Sequence, residues 1–306
     1  MALKLDDIPF ALHANDIVKH IINIDSRFRE PSPDSDAGNF YFRLPTPIRN
    51  VLRIRVTSIE FANNYFIFSA ARRNVTLWIT YGYPDDEATV SVVIPDGNYL
   101  VMDMLQTLTS LFASSPVLNW LSVEFNTITG EFIFHGTKKF SINTACNSNN
   151  KDTWDRPIEY GLGYNLGFSR GVFMANEIIP DLSYNLISNQ TAYFAGDPYL
   201  FLKVNDFECV RQTVDKGYQF TALAKIILTQ SKDFMTFDDY TGHHAKEVTF
   251  TAPTDLTRFH IQLLDPHGQQ VRMGSAQFSF SLEVLEVRNT SLYNTIRDTF
   301  ATRWSL

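Results

Sequence analysis

Apolar and polar positions alternate with period two along much of the chain, the pattern of strands with one covered and one exposed face. Ile17 to Ile24 reads as a first strand, and the DSRFREPSPDSDAG that follows, rich in turn formers and charges, as an exposed loop or arm. Asn39 to Leu44 is a short aromatic strand closed by Pro45 and Pro47. In residues 51–62, Val51, Arg53, Arg55 and Thr57 face one way and Leu52, Ile54, Val56 and Ser58 the other, which predicts a half-buried strand with its arginines outward. Further strands are expected over 75–80, 88–94, 199–210, 223–228, 247–251, 258–264 and 277–287. Asp265-Pro266-His267-Gly268 reads as a hairpin turn between two of them.

The period changes at Tyr99, where Leu100, Met104, Leu108, Leu111 and Phe112 fall at helical spacing and Asn98 is available as the cap. Residues 120–125 and 131–135, joined by a short polar turn ending in Gly130, read as a hairpin. Helix and hairpin together look like an α+β insertion. Residues 144–162 are polar and aperiodic and read as a long loop, a feature that is usually functional. The tail from Asn289 to Leu306 places Leu292, Ile296, Phe300 and Trp304 at i, i+4 spacing, as an amphipathic helix would.

A chain of 306 residues can bury a sizeable core in one large domain or two modest ones. It is 44% hydrophobic and 14% aromatic but only 19% charged, which excludes disorder and coiled coil. That balance fits either a β-rich fold or a surface partly covered by partners. A net charge of −7 argues against a protein that grips phosphate backbones over its whole surface. Cys146 and Cys209 are too few for a disulfide scaffold and point to a reducing compartment. No signal-peptide apolar run opens the sequence, and no apolar stretch is long enough to span a bilayer. The triplets beginning at Asn74, Asn189 and Asn289 therefore read as chance matches to a glycosylation site.

Chemistry-bearing motifs are scarce: glycine-rich phosphate loops, the nucleophile elbow and paired-histidine zinc signatures are all missing. Asp238, Asp239, His243 and His244 gather ligand types on one short loop, but their spacing suits a polar loop better than a metal site. Asp206 and Glu208, two apart on an expected strand, could form a carboxylate pair for glycoside chemistry, although neighbouring carboxylates on a solvated face are common. Cys209 has no histidine within local reach and reads as structural. Arg27, Arg29, Arg53, Arg55, Arg72 and Arg73 crowd the first quarter and suit carboxylate pairing at a protein interface better than nucleic acid. No catalytic residue, metal or cofactor is expected.

HIINIDSRFRE (20–30), NFYFRLPTPIRNVLRIRVTSIEFANNYFIFS (39–69) and IPDGNYLVMDMLQTL (94–108) together resemble the start of minor capsid proteins of large nucleocytoplasmic DNA viruses. The elements that carry the likeness are Asn23 to Arg29, Phe42 to Val51, Ser58 to Ser69 and Asp96 to Tyr99, in that order. The run from Val248 through the Asp265 turn to FSFSLEV (278–284) is similar to the closing strands of such proteins, whereas residues 136–196 carry no part of the likeness.

The resemblance implies a non-enzymatic jelly-roll β-sandwich in an icosahedral virion, bound to double jelly-roll major capsid proteins and other minor capsid proteins. It would be made in the host cytoplasm, with self-association open and no small-molecule substrate. The expected layout is an N-terminal strand and arm over 1–38 and a sandwich over 39–288. An insertion at about 95–196 interrupts the sandwich, and a C-terminal arm covers 289–306. Interface residues would be Arg27, Phe28, Arg29, Arg53, Arg55, Phe300 and Trp304. The rivals are a penton at the five-fold vertices, a carbohydrate-binding sandwich using Tyr81, Tyr83 and Trp154, and a hydrolase using Asp206 and Glu208.

Overall fold

Strands make up most of the computed structural model, which describes residues 16–33, 35–84, 86–145, 161–178, 183–213, 219–228, 235–238, 247–291 and 293–294. The chain forms two compact units, one of residues 1–65 with 197–306 and one of residues 66–196. In chain order the first unit begins with β1 (Ile17–Asp25) and β2 (Asn39–Ala62). The second unit holds β3 (Thr76–Tyr81), β4 (Ala88–Val93), α1 (Val101–Ser114), β5 (Leu121–Asn126), β6 (Glu131–Gly136) and β7 (Phe140–Asn143). It continues with α2 (Leu162–Asn165), β8 (Val172–Met174), β9 (Asn176–Ile178) and β10 (Ser183–Ile187). The first unit then resumes with β11 (Tyr199–Val204), β12 (Val210–Thr213), β13 (Gln219–Ala222) and β14 (Ala224–Ile227). It ends with β15 (Met235–Asp238), β16 (Glu247–Leu264) and β17 (Phe278–Val287).

β2 and β16 each serve two layers. The first half of β2 pairs with the second half of β16, while the second half of β2 pairs with β15, the start of β16 and β17. Counting the halves separately gives two antiparallel layers. One runs β1, β17, late β2, then β15 with early β16; the other runs early β2, late β16, β11, β14. The pairing is nested: first strand with last, second with seventh, third with sixth, fourth with fifth. That is a jelly roll. Inward residues of both layers, among them Ile54, Val56, Phe280 and Leu282 from one and Phe40, Leu202, Phe259 and Ile261 from the other, fill one core.

Two expected breaks are absent for one physical reason. Pro45 and Pro47 do not end a strand, and 247–251 and 258–264 are not separate strands. The β2–β16 register shifts between Leu256 and Arg258, opposite the prolines, and again between Thr249 and Thr254, where Pro253 sits. A bulge leaves residues out of the ladder, so a missing N–H costs nothing there. Asn50 turns the corner at φ +52, and its N–H donates to the Asp255 carboxylate at 3.0 Å.

The expected 199–210 strand stops at Val204, because Asn205 adopts φ +47 and turns the chain toward β12. The Asp265 turn is present, with Asp265 Oδ1 accepting from the N–H groups of His267 and Gln269. It leads only to a single bridge between Leu264 and Gln270, because β2 lies between β16 and β17.

The second unit has its own core. Its two sheets are ordered β4-β3-β7-β8 and β5-β6-β10-β9, and α1 adds Met104, Leu108 and Phe112 to a cluster with Leu77, Phe132, Phe134 and Phe140. This unit starts at Phe66, not at about residue 95, so β3 and β4 belong to it. Asn98 does not cap α1: its side chain accepts from the Ile67 N–H at 2.8 Å, while Asp103 accepts from the Leu100 N–H at 3.0 Å. Residues 146–160 of the expected long loop lie outside the described residues. Among the described residues no helix is long and apolar enough to cross a membrane.

Candidate interaction surface

The outer face of the β1–β17–β2 layer is built around a buried carboxylate. Glu283 on β17 is 6% exposed, and its neighbours in register bring cations from both sides. Lys19 Nζ lies 2.9 Å from it and Arg53 3.4 Å, and Arg53 also reaches Glu247 at 3.5 Å. Burial pushes the Glu283 carboxyl upward, but the Lys19 hydrogen bond and the charges of Lys19, Arg55 and Arg53 outweigh it and hold the group below its ordinary range. Arg53 and Arg55 do face away from the core, as expected, but Arg53 is occupied within its own sheet.

The start of the segment expected to be an exposed loop or arm is tied down. Asp25, 4% exposed, caps a short 3-10 turn over Ser26–Phe28, accepting from the Arg27 N–H at 2.9 Å and from its guanidinium. Ser26 donates to Gln277 Oε1 at 2.7 Å and accepts from the Phe278 N–H at 3.1 Å. Arg29 donates to the Ser26 carbonyl at 2.7 Å and to Gln277 at 3.1 Å. Phe28 is left projecting, 73% exposed.

The Arg27 hydrogen bonds lower the Asp25 pKa more than burial raises it. A depressed carboxylate stabilises the fold above its unfolded pKa, and that contribution disappears as pH falls through the folded value. Asp25→Asn is therefore expected to cost stability at neutral pH, with the gap to wild type closing below the ordinary carboxylate range. Urea midpoints measured across that range check this; a gap independent of pH would contradict it.

A second charged group lies on the outer face of the other layer. Glu30 accepts from Arg258 at 2.6 Å and from Arg43 at 3.3 Å. The Arg258 guanidinium sits 3.9 Å from the centre of the Tyr41 ring, and the His260 ring stacks on Tyr41 at 4.4 Å. Burial, helped by Lys203 and Arg258, holds the His260 pKa below its usual value. Sequence reasoning missed Glu30, Tyr41, Arg43, Arg258 and His260. Their only local signal is alternation within two strands, and the pairing Arg258 with Arg43 and His260 with Tyr41 is long-range.

Other candidates do not assemble. Asp206 and Glu208 lie in the turn after β11 rather than on one strand, and Glu208 accepts from Thr221 at 3.1 Å. Cys209 is exposed. Arg72 and Arg73 belong to the second unit. Tyr83 bonds Ser141 at 2.8 Å, and the Tyr81 ring lies 5.5 Å from Trp120, so neither stands clear as a sugar platform. Phe300, Trp304, Trp154, Cys146, Asp239, His243 and His244 lie outside the described residues. Among the described residues no group of three or more His, Cys, Asp or Glu side chains is placed to hold a metal ion.

No family model and no curated protein matches the chain. Among solved structures, the mavirus penton protein is similar at a TM-score of 0.44 and 10% identity, over 88% of this chain and 98% of that one. A chain of the Sputnik virophage structure is similar at a TM-score of 0.41 and 13% identity, over 91% of this chain and 99% of that one. The jelly roll itself is defined by this chain's own nested pairing.

The C-terminal tail begins on the protein's own surface. Tyr293 is buried against Leu52, Val287 and Ile17, on the outer face of the first layer. Tyr293 thus ties the start of the tail to the roll.

Proposed function

We propose that the protein is a structural component of the shell of a large icosahedral DNA virus, a minor capsid protein that cements major capsid protein capsomers. One observation carries this reading: three of the four segments that resemble such proteins fall at joints of the jelly roll, and the fourth leads into α1 of the second unit. Asn23–Arg29 is the end of β1 and the turn pinned onto β17, and Phe42–Val51 is the corner at which β2 changes layer. Ser58–Ser69 ends β2 and enters the second unit, and Asp96–Tyr99 leads into α1. Residues at joints are dictated by geometry rather than by general strand preference, so this coincidence goes beyond β composition. Fold alone would not give a function.

Contacts with neighbours are assigned to the first unit's Arg27, Phe28 and Arg29 and to the tail around Phe300 and Trp304. Removing residues 295–306 keeps Tyr293 in its cluster, so thermal stability is expected to hold while incorporation into particles falls. Normal incorporation would remove the tail from the account.

The reading as a whole is tested by quantifying the chain in gradient-purified particles. A fixed stoichiometry supports it; absence from particles, or selective binding on a glycan array, contradicts it. A pentamer in solution would favour the five-fold vertices over a cementing position.

A further inference from the structure

We infer that residues Ser26 to Glu30 form a strap fastened to both layers of the roll, and that acid opens its fastening on the second layer. The two ends are held by different chemistry. On the first layer, Ser26 bonds to Gln277 and to the Phe278 N–H, and Arg29 donates to Gln277, contacts that protonation of a carboxylate leaves intact. On the second layer, the Glu30 N–H donates to the Tyr41 carbonyl at 2.8 Å. The Glu30 carboxylate accepts from Arg258 at 2.6 and 3.2 Å and from Arg43 at 3.3 Å. One titratable group, shared by two arginines, thus supplies the side-chain part of this fastening.

Geometry sets this contact apart from an ordinary surface pair. Arg258 meets Glu30 with two nitrogens, one on each oxygen, and its guanidinium lies 3.9 Å from the centre of the Tyr41 ring, which positions it in advance. The hydrogen bonds from Arg258, joined by Arg43, hold the Glu30 carboxyl below its ordinary range. The fastening is therefore complete at neutral pH and is lost as pH falls through that lowered value. His260 stacks on the same Tyr41 ring, faced by Lys203, Arg258 and Asp206. It gains positive charge on acidification, so it offers the arginines no substitute for the carboxylate. Asp25 also titrates, but its bonds run to Arg27 within the turn and not to the second layer. Arg27 and Phe28 lie between the two fastenings, so any contact made through them loosens with the strap. The strap itself does not depend on the shell reading.

Amide hydrogen exchange on the full chain, corrected for its intrinsic pH dependence, tests this. From neutral pH down through the carboxylate range, protection of the Glu30 N–H is expected to fall by at least about tenfold while the Phe278 N–H stays protected. Glu30→Gln, which keeps the shape and removes the charge, should show the loss already at neutral pH, again with Phe278 protected. Arg258→Gln should do the same. The inference is overturned if the Glu30 N–H of wild type keeps its protection throughout, or if it and the Phe278 N–H lose protection together. It is equally overturned if Gln at position 30 is as protected at neutral pH as Glu30 is in wild type.

Discussion

Glu283→Ala is expected to destabilise the first unit by about 1.5–3 kcal/mol, because it removes the buried acceptor of the charged contacts from Lys19 and Arg53. Lys19, Arg53 and Arg55 approach Glu283 from the strands on either side, and the carboxylate is nearly inaccessible to water. Glu283→Gln keeps the volume and an acceptor for Lys19, so it should lose less than the alanine variant. Urea unfolding followed by fluorescence measures both. A loss below about 1 kcal/mol for Glu283→Ala would mean that the cations are held by solvent instead, as exposed pairs are.

The two units should respond separately to damage in their cores. Phe280 lies in the core of the roll and Phe134 in that of residues 66–196, both fully buried. Truncation of either to alanine is expected to cost about 3–5 kcal/mol, appearing as a shift of one unit's transition and not the other's. The chain leaves the second unit close to where it enters: a β-carbon on Gly196, at φ +74, would lie 3.0 Å from the Ile67 side chain. An element inserted through neighbouring ends can be tolerated as a self-contained unit. Calorimetry of the two variants decides the matter. One transition shifting as a whole in both would show a single cooperative block.

The legible parts of this sequence were those set by local pattern. Phe278, Phe280, Leu282 and Val284 alternate without interruption, and β17 follows them; Met104, Leu108 and Phe112 recur at helical spacing, and α1 buries that face. What was not legible depended on partners distant in sequence. Pro45, Pro47 and Pro253 look like strand ends until the β2–β16 register places bulges beside them. Asp206 and Glu208 look like a strand pair until Asn205 turns left-handed. Arg53 reads as an outward cation awaiting a partner's carboxylate, and only the pairing of β1 and β2 with β17 shows it engaged with Glu283. Likewise the run after Asp25 reads as an exposed, charged loop or arm, because nothing local reveals that Gln277 and Phe278 hold Ser26 in place.

The proposed role is tested most directly by a density map of purified particles at a resolution that separates strands. The account predicts, within the icosahedral shell, a roll in which first strand pairs with last and third with sixth, with residues 66–196 emerging between its third and fourth strands. A shell fully accounted for by other chains, with this protein missing from it, would contradict the account.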